Sequence, residues 1–181
     1  MRNELPAKYF ESITEYREAI KILLNLQKTH NIIRNDYLNL INLTFDHIEN
    51  QKLFNTLYRS CLRELFSLIE SDIFNLNRLD KYHNYTDNDK FIFKFKKTFK
   101  QICKTWKKDD VQKHYFDSKL EFLIIIKKER DKITHPKSPI VFKDVTLDNF
   151  NKLKLVFNQY DDFINEVMNN FFIRMRKSPN S

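Results

Sequence analysis

The residue pattern predicts an all-α protein, and three observations carry that reading. Glycine is absent from the 181 residues, and proline stands only at positions 6, 136, 139 and 179. Tight β-turns that need positive φ are therefore almost unavailable, which disfavours a meander of hairpins. Apolar residues also recur at steps of three and four through most of the chain, the spacing that puts them on one face of a helix.

Taken in order, residues 7 to 28 carry Phe10, Ile13, Ala19, Ile20, Leu23, Leu24 and Leu26 at helical spacing with charges between them. A second pattern runs from about Arg34 to Glu49 through Tyr37, Leu38, Ile41 and Phe45. The third and longest spans Lys52 to about Leu79, with the stripe Leu57, Cys61, Leu65, Leu68, Asp72, Leu76 and Leu79 on one side. Residues 80 to 90 are polar and read as a loop. From Phe91 to Lys108 aromatics alternate with lysines; the first six residues mimic a strand, but Phe95, Phe99, Ile102, Cys103 and Trp106 fit a helix better. A polar break near Lys107 to Gln112 precedes a helix from about Val111 to Arg130. Pro136 then forces His135 out of helical geometry. Thr146 or Asp148 is placed to cap a final helix running to Phe171, and the tail from Arg174 reads as frayed.

Lysine plus arginine exceed aspartate plus glutamate by 32 to 24, giving a pI near 9.3. Such an excess attracts polyanions in a salt-dependent way, so RNA, DNA and acidic proteins are all admissible partners. Cys61 and Cys103 lie apart in apolar patterns, forming neither a disulfide framework nor a metal pair, which fits a reducing cytoplasm. The N-terminus lacks the apolar core of a signal peptide, and no run reaches the ~18 apolar residues of a spanning helix, so a soluble protein without membrane contact is expected. Without glycine, the phosphate-cradling loops of nucleotide-binding folds are excluded.

Asp72 is the anomaly of the third helix, a carboxylate among leucines. Either the helix turns it to a wet edge, or it is buried and must find a partner or shift its pKa. Glu70 lies on the mixed flank with Arg63, Phe66 and Phe74, and either acid could support a cationic site. In the Phe91 to Lys108 segment, bases could stack on exposed aromatics while Lys94, Lys97 and Lys100 track phosphates. The competing expectation is that the aromatics are core and the lysines a solvated face.

Residues Glu129-Arg130-Asp131-Lys132-Ile133-Thr134-His135-Pro136 follow the apolar run Leu120 to Ile126 and bring an arginine and a histidine to a helix exit. Arginine offers a permanent planar charge for a phosphate, and histidine exchanges a proton near neutral pH. The spacing alone selects nothing, because Arg78 and His83 share it and the chain has nine arginines and five histidines. Context favours the second copy: an apolar helix before it, Asp131 beside Arg130, a helix-stopping His-Pro, and another amphipathic helix after it.

This segment, with Lys137 following, resembles the Arg-polar-x3-His signature of the HEPN superfamily, small helical domains of prokaryotic defence and toxin–antitoxin ribonucleases. The resemblance covers about Lys52 to Phe172. It implies a HEPN-like up-and-down helical bundle at 51–175, with 1–50 as extra N-terminal helices packed on it and 176–181 as a frayed tail. It further implies a homodimer whose motifs face each other across a cleft that cuts RNA without metal or other cofactor, leaving a 2′,3′-cyclic phosphate. An antitoxin or another defence-system protein is the partner such a setting implies. In that chemistry His135 would serve as general base or acid and Arg130 would stabilise charge on the scissile phosphate. Asp131 would orient a neighbour or the substrate, Glu70 or Asp72 would be the supporting acid, and Lys132 and Lys137 would join Lys94, Lys97 and Lys100 on the RNA. Arg130 and His135 could equally be an ion-pairing residue and a helix C-terminal cap, leaving a non-catalytic dimerisation, nucleic-acid-binding or partner-binding module. Asp110, His114 and Asp117 share a helical face at metal-ligand spacing, but acids at a helix start are explained as well by the helix dipole.

Overall fold

The computed structural model describes residues 7–10, 12–80, 90–134, 143–169 and 172–175. Within them six helices form a bundle: α1 (Ile13–Asp46), α2 (Gln51–Asp80), α3 (Phe91–Thr105), α4 (Asp109–Ser118), α5 (Leu120–Thr134) and α6 (Leu147–Met168). Two four-residue strands, β1 (Ala7–Phe10) and β2 (Phe172–Met175), pair in parallel with Ala7 opposite Phe172. The expectation of a helix from residue 7 is corrected there. At residues 7–10 the backbone instead hydrogen-bonds to a segment from the other end of the chain.

Where the sequence suggested two helices before residue 50, α1 is one helix of 34 residues, about 50 Å long. The residues between the two patterns, Thr29 to Ile33, contain no proline or glycine to break the helix. Ser12 caps the start, its Oγ accepting from the Glu15 amide at 3.1 Å. Antiparallel to α1 runs α2, as three cross-links of nearly constant summed position show: Asn25 to Asn75, His30 to Asp72, and Thr44 to Cys61. The stripe expected on α2 is buried from Cys61 to Leu79, with Leu57 half-buried. Burial extends to Phe54, Tyr58, Leu62, Phe66, Ile69 and Ile73 as well, so α2 is the central helix. Between Cys61 and Leu79 the exposed residues form a narrow line through Arg63, Ser67, Glu70, Phe74 and Arg78.

A single apolar cluster joins α1 through α6, including Leu26, Tyr37 and Ile41 of α1. Its aromatic centre packs Phe95 and Phe99 of α3 against Tyr115 of α4 and Phe163 of α6, with Tyr115 and Phe163 stacked at 4.2 Å. Each such aromatic pair contributes roughly 0.5–1.5 kcal/mol beyond its buried area. Tyr37 stacks on Phe157 at 4.3 Å and ties α1 to α6.

The helix expected from Val111 to Arg130 is two helices, broken at Lys119, whose amide still bonds the Tyr115 carbonyl. At the end of α3, Lys107 takes positive φ (54°). Its amide bonds the Lys104 carbonyl and the Lys108 amide bonds the Cys103 carbonyl at 2.7 Å, a Schellman ending with lysine where glycine is usual. Before α6, Thr146 and Asn149 form the reciprocal capping box. Among the described residues no helix is long and apolar enough to cross a membrane.

Candidate functional site

The last turns of α5 hold the motif arginine. Leu120, Leu123 and Ile126 bury one face of this helix, and Arg130 follows Ile126 by four residues, so it emerges at the rim of the same face. Its guanidinium lies 5.8 Å from the Phe66 ring centroid on α2 and 3.9 Å from the Glu70 carboxylate. It also reaches Asp131 at 3.5 Å, while its buried Nε has no hydrogen-bond partner among the described residues. Asp131 is engaged a second time by Lys127, one turn earlier. Thr134 donates its hydroxyl proton back to the Arg130 carbonyl at 2.9 Å and so closes the last turn.

Beside this rim, Glu129 accepts a 2.8 Å hydrogen bond from the Tyr58 hydroxyl. Burial and the neighbouring Glu129 charge hold the Tyr58 phenol far above its ordinary pKa, so it remains a donor. A cavity of ≈ 230 Å³ opens there, where Arg59, Lys132 and Lys143 meet Glu129 and Asp144. Of the motif, Arg130, Asp131 and Lys132 are thus placed; His135, Pro136 and Lys137 lie outside the described residues.

Of the two candidate acids, Glu70 is brought to Arg130 while Asp72 faces the interior. Asp72 is fully buried rather than at a wet edge. It accepts from His30 Nδ1 at 2.9 Å and from the Tyr160 hydroxyl at 2.7 Å. Desolvation pushes its pKa up, and the hydrogen bonds from His30 and Tyr160 oppose that shift. Next to this trio Arg34 donates two hydrogen bonds to Asp161, at 2.6 and 2.7 Å, in the forked geometry suited to guanidinium and carboxylate. The pair raises the Arg34 pKa, chiefly through the side-chain hydrogen bond. His30 Nε2 stands 3.9 Å from Asp161 and has no hydrogen-bond partner among the described residues.

Of this buried network only Asp72 was singled out in the sequence. His30 continues the line Ala19, Ile22 and Leu26 at a four-residue step, a readable signal once α1 is taken as continuous. Arg34 and Asp161 are 127 positions apart, and nothing local announces their pairing.

On α3 the competing expectation holds for Phe95, Phe99 and Trp106 but not for Phe93. Phe95 and Phe99 are fully buried and Trp106 nearly so, while Phe93 is 43% exposed. Phe93, Lys96, Lys100 and Lys104 form one exposed line opposite the buried face, with Lys97 placed over the Phe93 ring at 4.4 Å. From Lys90 to Lys108 there are eight lysines and no acid, a number equal to the whole chain's formal net charge of +8. The remainder of the chain is therefore balanced, and the basic excess sits on and around one helix. Lys94 and Lys97 are half-buried and Lys100 is exposed.

Both cysteines are free and buried. Burial pushes the Cys61 thiol up to about 11 and the Cys103 thiol up to about 12, the opposite of what a nucleophile needs. Asp110, His114 and Asp117 are exposed on α4, and among the described residues no group of three His, Cys, Asp or Glu side chains is gathered so as to hold a metal ion. No family model matches the chain, and neither a curated protein nor a solved structure matches it.

Proposed function

We propose that this protein is a HEPN-like helical module that binds RNA through the lysine face of α3 without cutting it. The observation that carries this reading is the confinement of the net charge to residues 90–108, on a helix whose opposite face is anchored in the core. A rigid row of cations tracks a phosphate backbone without ordering a loop, and the exposed Phe93 beside Lys97 offers a ring on which a base can stack. The same reading takes the module to be a cytoplasmic homodimer in an anti-phage or toxin–antitoxin setting, with 1–50 an addition to the family core at 51–175. Replacing Lys96, Lys100 and Lys104 together by alanine tests it, since all three are exposed and their loss leaves the core intact. Fluorescence anisotropy with a labelled single-stranded RNA should show at least a tenfold weaker complex; unchanged affinity overturns the assignment.

A second reading, a metal-independent endoribonuclease, is favoured by one specific observation. The Arg130 guanidinium is positioned by Phe66 and Glu70, at the rim of α5, and its buried Nε has no hydrogen-bond partner among the described residues. In that reaction the ribose 2′-oxygen attacks the adjacent phosphorus and the 5′-oxygen leaves, so that His135 moves a proton and Arg130 steadies the phosphoryl charge. Incubation of the wild-type protein, Arg130→Ala and His135→Ala with total RNA in EDTA distinguishes the readings. Cleavage by the wild type alone, leaving 2′,3′-cyclic phosphate ends, would establish this second reading. Intact RNA with all three proteins would leave the binding module.

A further inference from the structure

Beside the buried network, α1 and α6 flank an open, solvent-facing cavity of ≈ 600 Å³. His30 reaches its wall from inside, 2% exposed, with Nδ1 committed to Asp72 and Nε2 buried 3.9 Å from Asp161, without a hydrogen-bond partner among the described residues. The rest of the wall is mostly carboxamide: Gln27 and Asn31 from α1, Asn165 from α6 and Asn169 at its end. Glu166 supplies a single carboxylate and Met168 a thioether, and no lysine or arginine is among the described residues that line the space.

We infer that this cavity binds a nucleobase, with a guanine edge the best match. Each carboxamide offers one donor and one acceptor side by side, the pattern that pairs with the alternating groups of a base edge. Glu166 accepts the paired N1–H and N2–H groups, which of the common bases only guanine presents together. The Met168 sulfur supplies a soft contact for the face of the ring system. With no cation among its described lining residues, the site is set apart from the α3 lysines: it reads a base and leaves the phosphates outside. A purine occupies only part of ≈ 600 Å³, so a ribose is accommodated too. Free nucleoside and an unstacked base in a strand present the same edge and are distinguished by experiment.

Guanosine, which has no phosphate, is titrated into the full-length protein and followed by calorimetry and amide chemical shifts. Saturable binding at millimolar concentration or below, with adenosine at least tenfold weaker, is expected. Glu166→Gln should weaken guanosine at least tenfold and Asn165→Ala several-fold; both positions are exposed, so the melting temperature serves as a control for folding. A guanine-containing oligonucleotide that binds while guanosine does not would place the ligand in a strand, provided Glu166→Gln abolishes its preference over the adenine analogue. Absence of guanosine binding together with an oligonucleotide affinity indifferent to Glu166→Gln overturns the inference, as does equal binding of guanosine and adenosine. The Lys96, Lys100 and Lys104 substitutions should leave guanosine binding unchanged, so the base site and the α3 reading stand or fall separately.

Discussion

Asp72 shows how much one side chain decides. A buried carboxylate is tolerated only with donors around it, and His30 and Tyr160 supply them from α1 and α6. Asp72→Ala would strand both donors and should cost about 3–5 kcal/mol, measured by urea unfolding. The pH dependence has a definite sign. Burial raises the carboxyl pKa above its unfolded value of about 3.9, so the native state keeps this proton to higher pH than the unfolded chain. The contribution of Asp72 to stability is therefore greatest in acid and declines as pH rises through its folded pKa. Relative to Asp72→Asn, the wild type should lose stability on going from about pH 4 towards neutrality; a relative gain would mean that the hydrogen bonds outweigh desolvation. Arg130 behaves differently, since its contacts with Glu70 and Asp131 are at 3.9 and 3.5 Å on a partly solvated rim. Arg130→Ala should cost no more than about 1 kcal/mol, which makes it a clean functional probe.

Among the elements, α2 and α6 were the most legible from sequence, because uninterrupted three-and-four spacing survives any choice of boundary. The stripe from Cys61 to Leu79 was readable from local chemistry alone, and the cap of α6 was narrowed to Thr146 or Asp148, of which Thr146 serves. The joining of two apparent helices into α1, the break at Lys119 and the β1–β2 pairing were not, because tertiary packing and long-range pairing decide them. For the site, local sequence supplied Arg130 and two candidate acids; which acid meets the arginine depends on how α5 lies across α2. The Schellman ending of α3 yields an element-scale prediction. Lysine at φ 54° pays a steric penalty that glycine does not, so Lys107→Gly should raise stability by about 1 kcal/mol despite adding a glycine to a chain that has none. Thermal denaturation reads this as a melting point higher by roughly 2–4 °C; a lower one would show that the left-handed turn is not the dominant conformation. Thr146→Ala should act oppositely, costing about 1 kcal/mol through the lost cap.

At the scale of the whole molecule, one apolar cluster reaches into all six helices, so the two buried thiols report on the same structure. In native buffer a thiol reagent should modify neither Cys61 nor Cys103, and both should react in denaturant; rapid native modification would reveal an opening of the bundle. The distribution of charge is the other global property. With the basic excess confined to 90–108, polyanion binding should be local and strongly salt-dependent rather than spread over the surface. The most direct measurement is the dependence of RNA affinity on salt, compared between the wild type and the Lys96, Lys100 and Lys104 alanine variant. Each phosphate contact to a single strand contributes about 0.7 to the double-logarithmic slope, so removing three lysines should make it shallower by about 2. Arg130→Ala, as a comparison, should leave the slope within about 0.7 of the wild type. Equal slopes for the wild type and the triple variant would contradict the account, because the phosphates would then be held elsewhere on the protein.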